Sequence, residues 1–402
     1  MAKRFLKVIT VLLIAVIITI APLSVSAEDV PLINRDDFLW GVNRHSNFYH
    51  LYGDENLEEQ IHLMANMGAE IMRFDVNVTD IKSTDKTVKL CNAYGMKVMF
   101  VIGDVCSFSD DYDAEYEYTI INAFAERYNG KNGHGKVDFF QLDNEIDLFL
   151  YKQFNFGDGD DMTAYDATKM KKIAANFNNL SKGVRDADTD AEIIINHGWL
   201  HNGMYDWFEA YKVDYDIIGL DWYTDMAAAF TENGETPLSQ AKHLHDKYKK
   251  DIIICETNQW TNSAIDETTD ASWDDLILIM NEAYSYPFVK GCIVYELCDE
   301  KYFESDTYNR EAHFGIINAD RYGAMYEPKP IYYRLQKLWG GKDTEKIALS
   351  SVWSNDAILE DNADEVTIED TEENVSVLIS VISAVIVLIY LTIIVVLKRK
   401  SD

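Results

Sequence analysis

The amino-acid sequence predicts an α/β fold, a closed (β/α)8 TIM barrel. Three observations predict it. Between about residues 37 and 340, short apolar runs alternate with amphipathic stretches, the pattern of parallel strands joined by crossover helices. Eight such runs fit into about 300 residues, the ordinary size of such a barrel. The first run is followed by Asn43-Arg44-His45 rather than a glycine-rich turn, which counts against the competing open, doubly wound sheet.

The expected strands run from Phe38 to Val42, Ala69 to Phe74, Lys97 to Ile102, Val137 to Leu142, Glu192 to Asn196, Asp216 to Leu220, Asp251 to Cys255 and Gly291 to Tyr295. Each is apolar enough to be buried on both faces, as a parallel strand is. Helices are expected between them. Asp54 to Met67 carries Leu57, Ile61, Met64 and Met67 on one stripe, and Thr168 to Arg185 carries Ile173, Phe177, Leu180 and Val184. Thr84 to Tyr94, Tyr112 to Tyr128, Pro237 to Lys250, Trp273 to Tyr286 and Ile331 to Trp339 complete the set.

In such a barrel the chemistry lies at the C-terminal ends of the strands. The tips carry Arg73 and Asp75 on strand 2, Asp104 on strand 3, Asn144 and Glu145 on strand 4, and His197 and Trp199 on strand 5. They carry Asp221, Trp222 and Tyr223 on strand 6, Glu256 running on to Trp260 on strand 7, and Glu296 on strand 8. Two glutamates on tips that lie across one mouth suit glycosidic cleavage, where one carboxylic acid protonates the leaving oxygen and a second acts at the anomeric carbon. Glu145 is the expected acid, its pKa raised by the nearby anion and by partial burial. Glu256 is the expected nucleophile, kept ionised by Arg73 and a hydrogen bond from Tyr223. Asn144 is placed to bond a sugar hydroxyl, and Trp199, Trp222 and Trp260 to stack on sugar faces. Taken singly, each residue has a structural reading: a cap charge, an ion pair, a core indole. The conjunction on one barrel carries the case.

Lys+Arg 36 against Asp+Glu 68 gives a formal charge of −32. That argues against nucleic acid as a partner, since phosphate binding needs a basic face. The N-terminus has the layout of a signal peptide over residues 1–27: Lys3, Arg4 and Lys7, an apolar stretch from Val8 to Ile20, then Val25-Ser26-Ala27. The barrel domain is assigned 28–345 and an acidic linker 346–374. Residues 375–397 carry no charge and are long enough to span a membrane, with Lys398, Arg399 and Lys400 following in a cytoplasmic tail at 398–402. The expected location is therefore the cell surface, with the barrel outside. Five cysteines match no zinc spacing; Cys255 and Cys292 sit inside apolar runs, whereas Cys106 and Cys298 lie in loops at one rim, where a pair is feasible.

The layout resembles the clan A glycoside hydrolases, retaining (β/α)8 enzymes with Asn-Glu after strand 4 and Glu after strand 7. I-I-G-L-D-W-Y (Ile217 to Tyr223), I-I-C-E-T-N-Q-W (Ile253 to Trp260) and I-M-R-F-D (Ile71 to Asp75) are similar to strands 6, 7 and 2 of that clan. V-Y-E-L-C-D-E (Val294 to Glu300), H-F-G-I-I (His313 to Ile317) and P-K-P-I-Y-Y (Pro328 to Tyr333) resemble family 39 and its exopolysaccharide-cleaving relatives. Two departures stand out. Ile146 replaces the proline that often follows Asn-Glu, and Tyr295 or Glu296 stands where strand 8 often ends in tryptophan. The resemblance implies a retaining glycosidase acting on a β-linked poly- or oligosaccharide, with no metal and no cofactor. Two rivals are a metal-dependent hydrolase using His45, Asp75, His197 and Glu296, and a membrane-anchored barrel that binds glycan without cleaving it.

Overall fold

The computed structural model describes residues 31–353, apart from 34, 47–49, 77–79, 103–113, 152–158, 189, 261–266 and 305–307. The proposed signal peptide and membrane span, together with Asp104 and Cys106, lie outside the described residues. Among those described, no helix is long and apolar enough to cross a membrane. The chain divides into a compact unit ending at Leu349 and a second unit from Ser350, of which only residues 350–353 are described.

The first unit is built on eight strands: β1 (Leu39–Asn43), β2 (Ile71–Asp75), β3 (Lys97–Ile102), β4 (Phe139–Leu142), β5 (Glu192–Gly198), β6 (Ile217–Asp221), β7 (Asp251–Thr257) and β8 (Val289–Val294). They pair in sequence order, all parallel, and β8 closes on β1. Every expected strand is present.

The barrel interior is layered. Ile71, Met99, Phe139, Ile194, Ile217, Ile253, Cys255 and Ile293 form one buried apolar cluster inside it. Side chains alternate across a strand, so positions two residues further along point the same way. That step carries the interior from Ile71 to Arg73, from Phe139 to Gln141 and from Ile194 to Asn196, all buried. The apolar floor thus gives way to a polar layer beneath the C-terminal mouth. Gly219 makes room in it: a Cβ there would lie 2.6 Å from Asn196 Cβ and 2.9 Å from Cys255 Sγ.

Around the barrel run α1 (Asp54–Met67), α2 (Ile81–Ala93), α3 (Ala114–Arg127), α4 (Asp147–Leu150), α5 (Ala167–Ala187), α6 (Gly203–Tyr211), α7 (Thr224–Glu232), α8 (Ser239–Tyr248), α9 (Asp274–Ser285) and α10 (Pro330–Trp339). The stripes expected on α1 and α5 are buried. Caps set the ends: Asp80 accepts from the Ser83 amide, Asp166 from those of Thr168 and Lys169, and Gly68 closes α1 in the left-handed conformation. The sequence reading missed α4, α6 and α7. These are short, and α7 offers mainly alanines where a stripe would be sought. Cys255 and Cys292 are buried thiols, as expected; Cys298 is also a buried thiol, with Sγ 3.8 Å from Met325 Sδ.

After β8 the chain forms a two-stranded antiparallel hairpin, β9 (Ile317–Ala319) and β10 (Met325–Pro328), before entering α10. The P-K-P motif has a structural reason here. Pro330 starts the helix, where its missing N–H costs nothing. Lys329 is buried, and its Nζ donates to Asp299 Oδ1 at 2.7 Å and the His313 carbonyl at 3.1 Å, and pairs with Glu267 Oε2 at 2.7 Å. One ammonium therefore ties the β8 loop to the last helix. Lys329→Met removes the nearer of two cations from the buried Asp299 carboxylate, leaving Lys301 Nζ 3.6 Å from Oδ2, and is expected to lower stability by up to about 3 kcal/mol. Adding Asp299→Asn is expected to recover much of that loss, as measured by denaturant unfolding of both variants.

Candidate active site

The site is assembled around Arg73 on β2. Its guanidinium is buried because the polar layer offers a partner to each nitrogen. Nε donates to Gln141 Oε1 at 2.7 Å, and Nη1 to Asn43 Oδ1 at 2.6 Å and Glu256 Oε1 at 2.9 Å. Nη2 donates to Asn144 Oδ1 at 2.7 Å. Burial opposes the charge, but the Glu256 and Asp221 carboxylates outweigh it and raise the Arg73 pKa. Arg73 thus joins the tips of β1, β4 and β7.

Glu256 reaches the cavity through a bulge. Leu220 pairs with Ile254 but Asp221 pairs with Glu256, so β7 holds one extra residue. Strict alternation from Ile253 directs Cys255 and Thr257 inward and Glu256 outward; the bulge re-aims Glu256 to the mouth. Its Oε2 accepts from Tyr223 Oη at 2.8 Å. Burial and the Glu256 charge push the Tyr223 phenol far up, so it stays a donor.

Glu145 follows β4 on a tight, irregular turn. Asp143 and Glu145 both have positive φ, 61° and 45°, sparsely populated for residues with side chains. Asn196 on β5 holds this turn, with Oδ1 accepting from the Glu145 amide at 3.0 Å and Nδ2 donating to Asn144 Oδ1 at 2.9 Å and Asp221 Oδ2 at 2.7 Å. The carboxyl lies over Gly198, where a Cβ would sit 2.6 Å from Oε1. Burial, then the charges of Glu256 and Asp147, push the Glu145 pKa well above the ordinary carboxylate range, and Arg73 offsets this only in part.

Both glutamates line one cavity of ≈ 860 Å³ at the mouth, with Arg73, Asn144, Tyr223, Trp199 and Trp260. Seven of the residues expected at the site therefore meet there. Three do not. Trp222 is 0% exposed and packs on Trp199 and Phe230, with its Nε1 donating to the Pro237 carbonyl at 2.8 Å; it backs a wall rather than stacking on a ligand. His197 is 0% exposed beside the Tyr205 hydroxyl, because the strand runs through it to Gly198. Glu296 is 0% exposed behind Tyr52 and His45, and Tyr295 takes the place at the cavity instead.

Residues 107–284, which hold both glutamates, match the model of glycosyl hydrolase family 53. The chain is similar to the clan A glycoside hydrolases. The match supports a glycosidase of that clan and gives no support to family 39 in particular. No curated protein matches the sequence. Among solved structures, the family 1 β-glucosidase from Thermotoga maritima is 12% identical with a TM-score of 0.54, over 77% of this chain and 99% of that one. A calcium-binding mutant of Bacteroides uniformis β-glucuronidase 2 is 17% identical with a TM-score of 0.54, over 79% of this chain and 36% of that one. Parabacteroides merdae β-glucuronidase is 15% identical with a TM-score of 0.51, over 77% and 37%. The chain thus spans little more than a third of the β-glucuronidases, and at these identities the likeness is one of fold.

The cavity and the polar layer beneath it contain residues to which the sequence reading gave no role. Asn43, Gln141 and Asn196 were legible as polar residues interrupting apolar strands. Glu311 was not: it arrives from the loop after β8, yet lines the cavity, where burial and then the Glu256 charge push its carboxyl up to about 7. One group of possible metal ligands also emerges among the described residues: His45, Glu296 and Glu300. The rival metal reading named two of these; its His197 lies apart in the barrel interior.

The raised Glu145 carboxyl has a stability signature. Its folded pKa lies above the unfolded value of about 4.3, so its contribution is fully present below that pH and is lost as pH rises through the folded value. Glu145→Gln removes this loss. Its Tm relative to wild type is expected to increase steadily from pH 4 to pH 8; a difference independent of pH would contradict the assignment.

Proposed function

We propose that the protein is a retaining glycoside hydrolase that cleaves β-linked poly- or oligosaccharide by double displacement. The observation that carries this reading is the pairing of Glu145 and Glu256 in one cavity with different surroundings. Glu256 is gripped by a guanidinium and a phenol, while Glu145 is held towards its protonated form. That contrast separates a nucleophile from an acid. In the first step Glu256 attacks the anomeric carbon and forms a glycosyl ester, while Glu145 gives its proton to the departing oxygen. In the second, Glu145 takes a proton from water, which attacks the same carbon and releases Glu256. Asn144 is suited to bond a hydroxyl beside the reacting centre. Trp199, Trp260 and Tyr295 on the cavity wall suit the apolar faces of sugar rings. The terminal segments support placement of the domain at a cell surface, tethered through residues 375–397.

Aryl β-glycosides and a panel of polysaccharides test the reading. Glu256→Ala is expected to abolish turnover. Glu145→Ala should cost roughly 100- to 10,000-fold with poor leaving groups and far less with activated ones. Equal losses on both would remove Glu145 from the acid role. With wild type, the alkaline limb of kcat/KM is expected to report Glu145, since activity falls as its proton is lost. The anomer first released, read by proton NMR, is expected to keep the substrate's configuration; the inverted anomer would rule out the covalent step. Glycan binding without hydrolysis would favour the non-catalytic alternative.

A further inference from the structure

We infer that His45, Glu296 and Glu300 form a binding site for a divalent transition metal, of which Zn2+ is the representative, in the wall between β1 and the β8 loop. One potential ligand atom from each of the three residues lies within 4.8 Å of the others. His45 Nε2 is 3.1 Å from Glu296 Oε2 and 3.9 Å from Glu300 Oε1. A tetrahedral ion with ligands at about 2.0–2.2 Å sets neighbouring ligand atoms roughly 3.4 Å apart, between those two values.

Two further observations point to a cation. Glu296 and Glu300 are 0% and 2% exposed, and Oε1 of each finds no hydrogen-bond partner among the described residues, whereas Glu296 Oε2 accepts from Tyr52 Oη at 3.1 Å. Buried carboxylate oxygens are ordinarily paired. The imidazole is also oriented for ligation. His45 Nδ1 lies 2.8 Å from Asp75 Oδ1; in the tautomer that donates there, the bare Nε2 faces the two glutamates and the Tyr295 hydroxyl at 3.4 Å. A carboxylate behind a ligating histidine is the usual support of such a site. One imidazole with two carboxylates favours zinc or manganese over calcium and magnesium, which prefer oxygen alone. The ion would bind His45, on the cavity wall, to the loop carrying Glu296 and Glu300. It would take no part in the displacement at Glu256.

The test uses full-length protein stripped with EDTA and titrated with ZnCl2 by calorimetry, with Tm followed in parallel. One strong site per chain and a rise in Tm are expected. Glu296→Gln and Glu300→Gln should each weaken binding roughly 100-fold or more, and Asp75→Asn roughly 10- to 100-fold. The Asp75 side chain is 39% exposed, so this last variant remains informative if a buried substitution prevents folding. Glu145→Gln and Glu256→Gln should bind Zn2+ as wild type does, which separates this site from the hydrolytic one. No heat and no Tm change with 1 mM Zn2+ or Mn2+ would overturn the inference. So would unchanged binding by Glu296→Gln and Glu300→Gln, which would place the ion elsewhere on an acidic surface.

Discussion

The architecture of the mouth depends on one buried guanidinium. Arg73 touches the tips of β1, β4 and β7 at once, with short, directed bonds. A buried cation is costly unless each donor is matched and a counter-charge is near. Those requirements select the neighbours: amide oxygens at positions 43, 141 and 144, and a carboxylate at 256. The polar layer above the apolar floor is therefore a shell that makes Arg73 tolerable. Its outcome is that Asn144 and Glu256 are held in fixed relation across the barrel.

The two glutamates differ in how they are reached. Glu256 is delivered by a strand irregularity and met by donors on both oxygens. Glu145 is delivered by a turn with two residues at positive φ, clamped by Asn196, and rests on a glycine. Backbone in a sparsely populated region persists only where its surroundings enforce it. Here the enforcement is visible, and it leaves the Glu145 carboxyl facing two other carboxylates with burial added. The electrostatic difference between the pair follows from where the chain places them, since both are chemically the same residue.

The wall after β8 is organised by acidic groups with few cations to share. Lys329 serves Asp299 and Glu267, and His45 stands against Asp75, Glu296 and Glu300. These pairings explain why the loop is rich in carboxylates yet largely buried. They also explain how Glu311 comes to the cavity, since its 3-10 turn is braced by neighbouring Arg310 and His313.

The barrel was legible in the sequence because strand and helix are written in local periodicity. Eight apolar runs and seven helices needed only neighbouring residues to be recognised, and the residue after each run named the tips. That was enough to single out Arg73, Asn144, Glu145, Tyr223 and Glu256. Which tip residues face the cavity was decided by the tertiary structure alone. Trp222, His197 and Glu296 sit at tips as the reading required, yet each is buried by side chains of other elements: Trp222 by Trp199 and Phe230, His197 by Tyr205, and Glu296 by Tyr52 and His45. Glu256 faces inward only because β6 and β7 pair with a bulge, and His45 meets Glu296 and Glu300 only because β8 closes on β1. Facing and meeting are properties of closure and register, which link residues tens to hundreds of positions apart and leave no local trace.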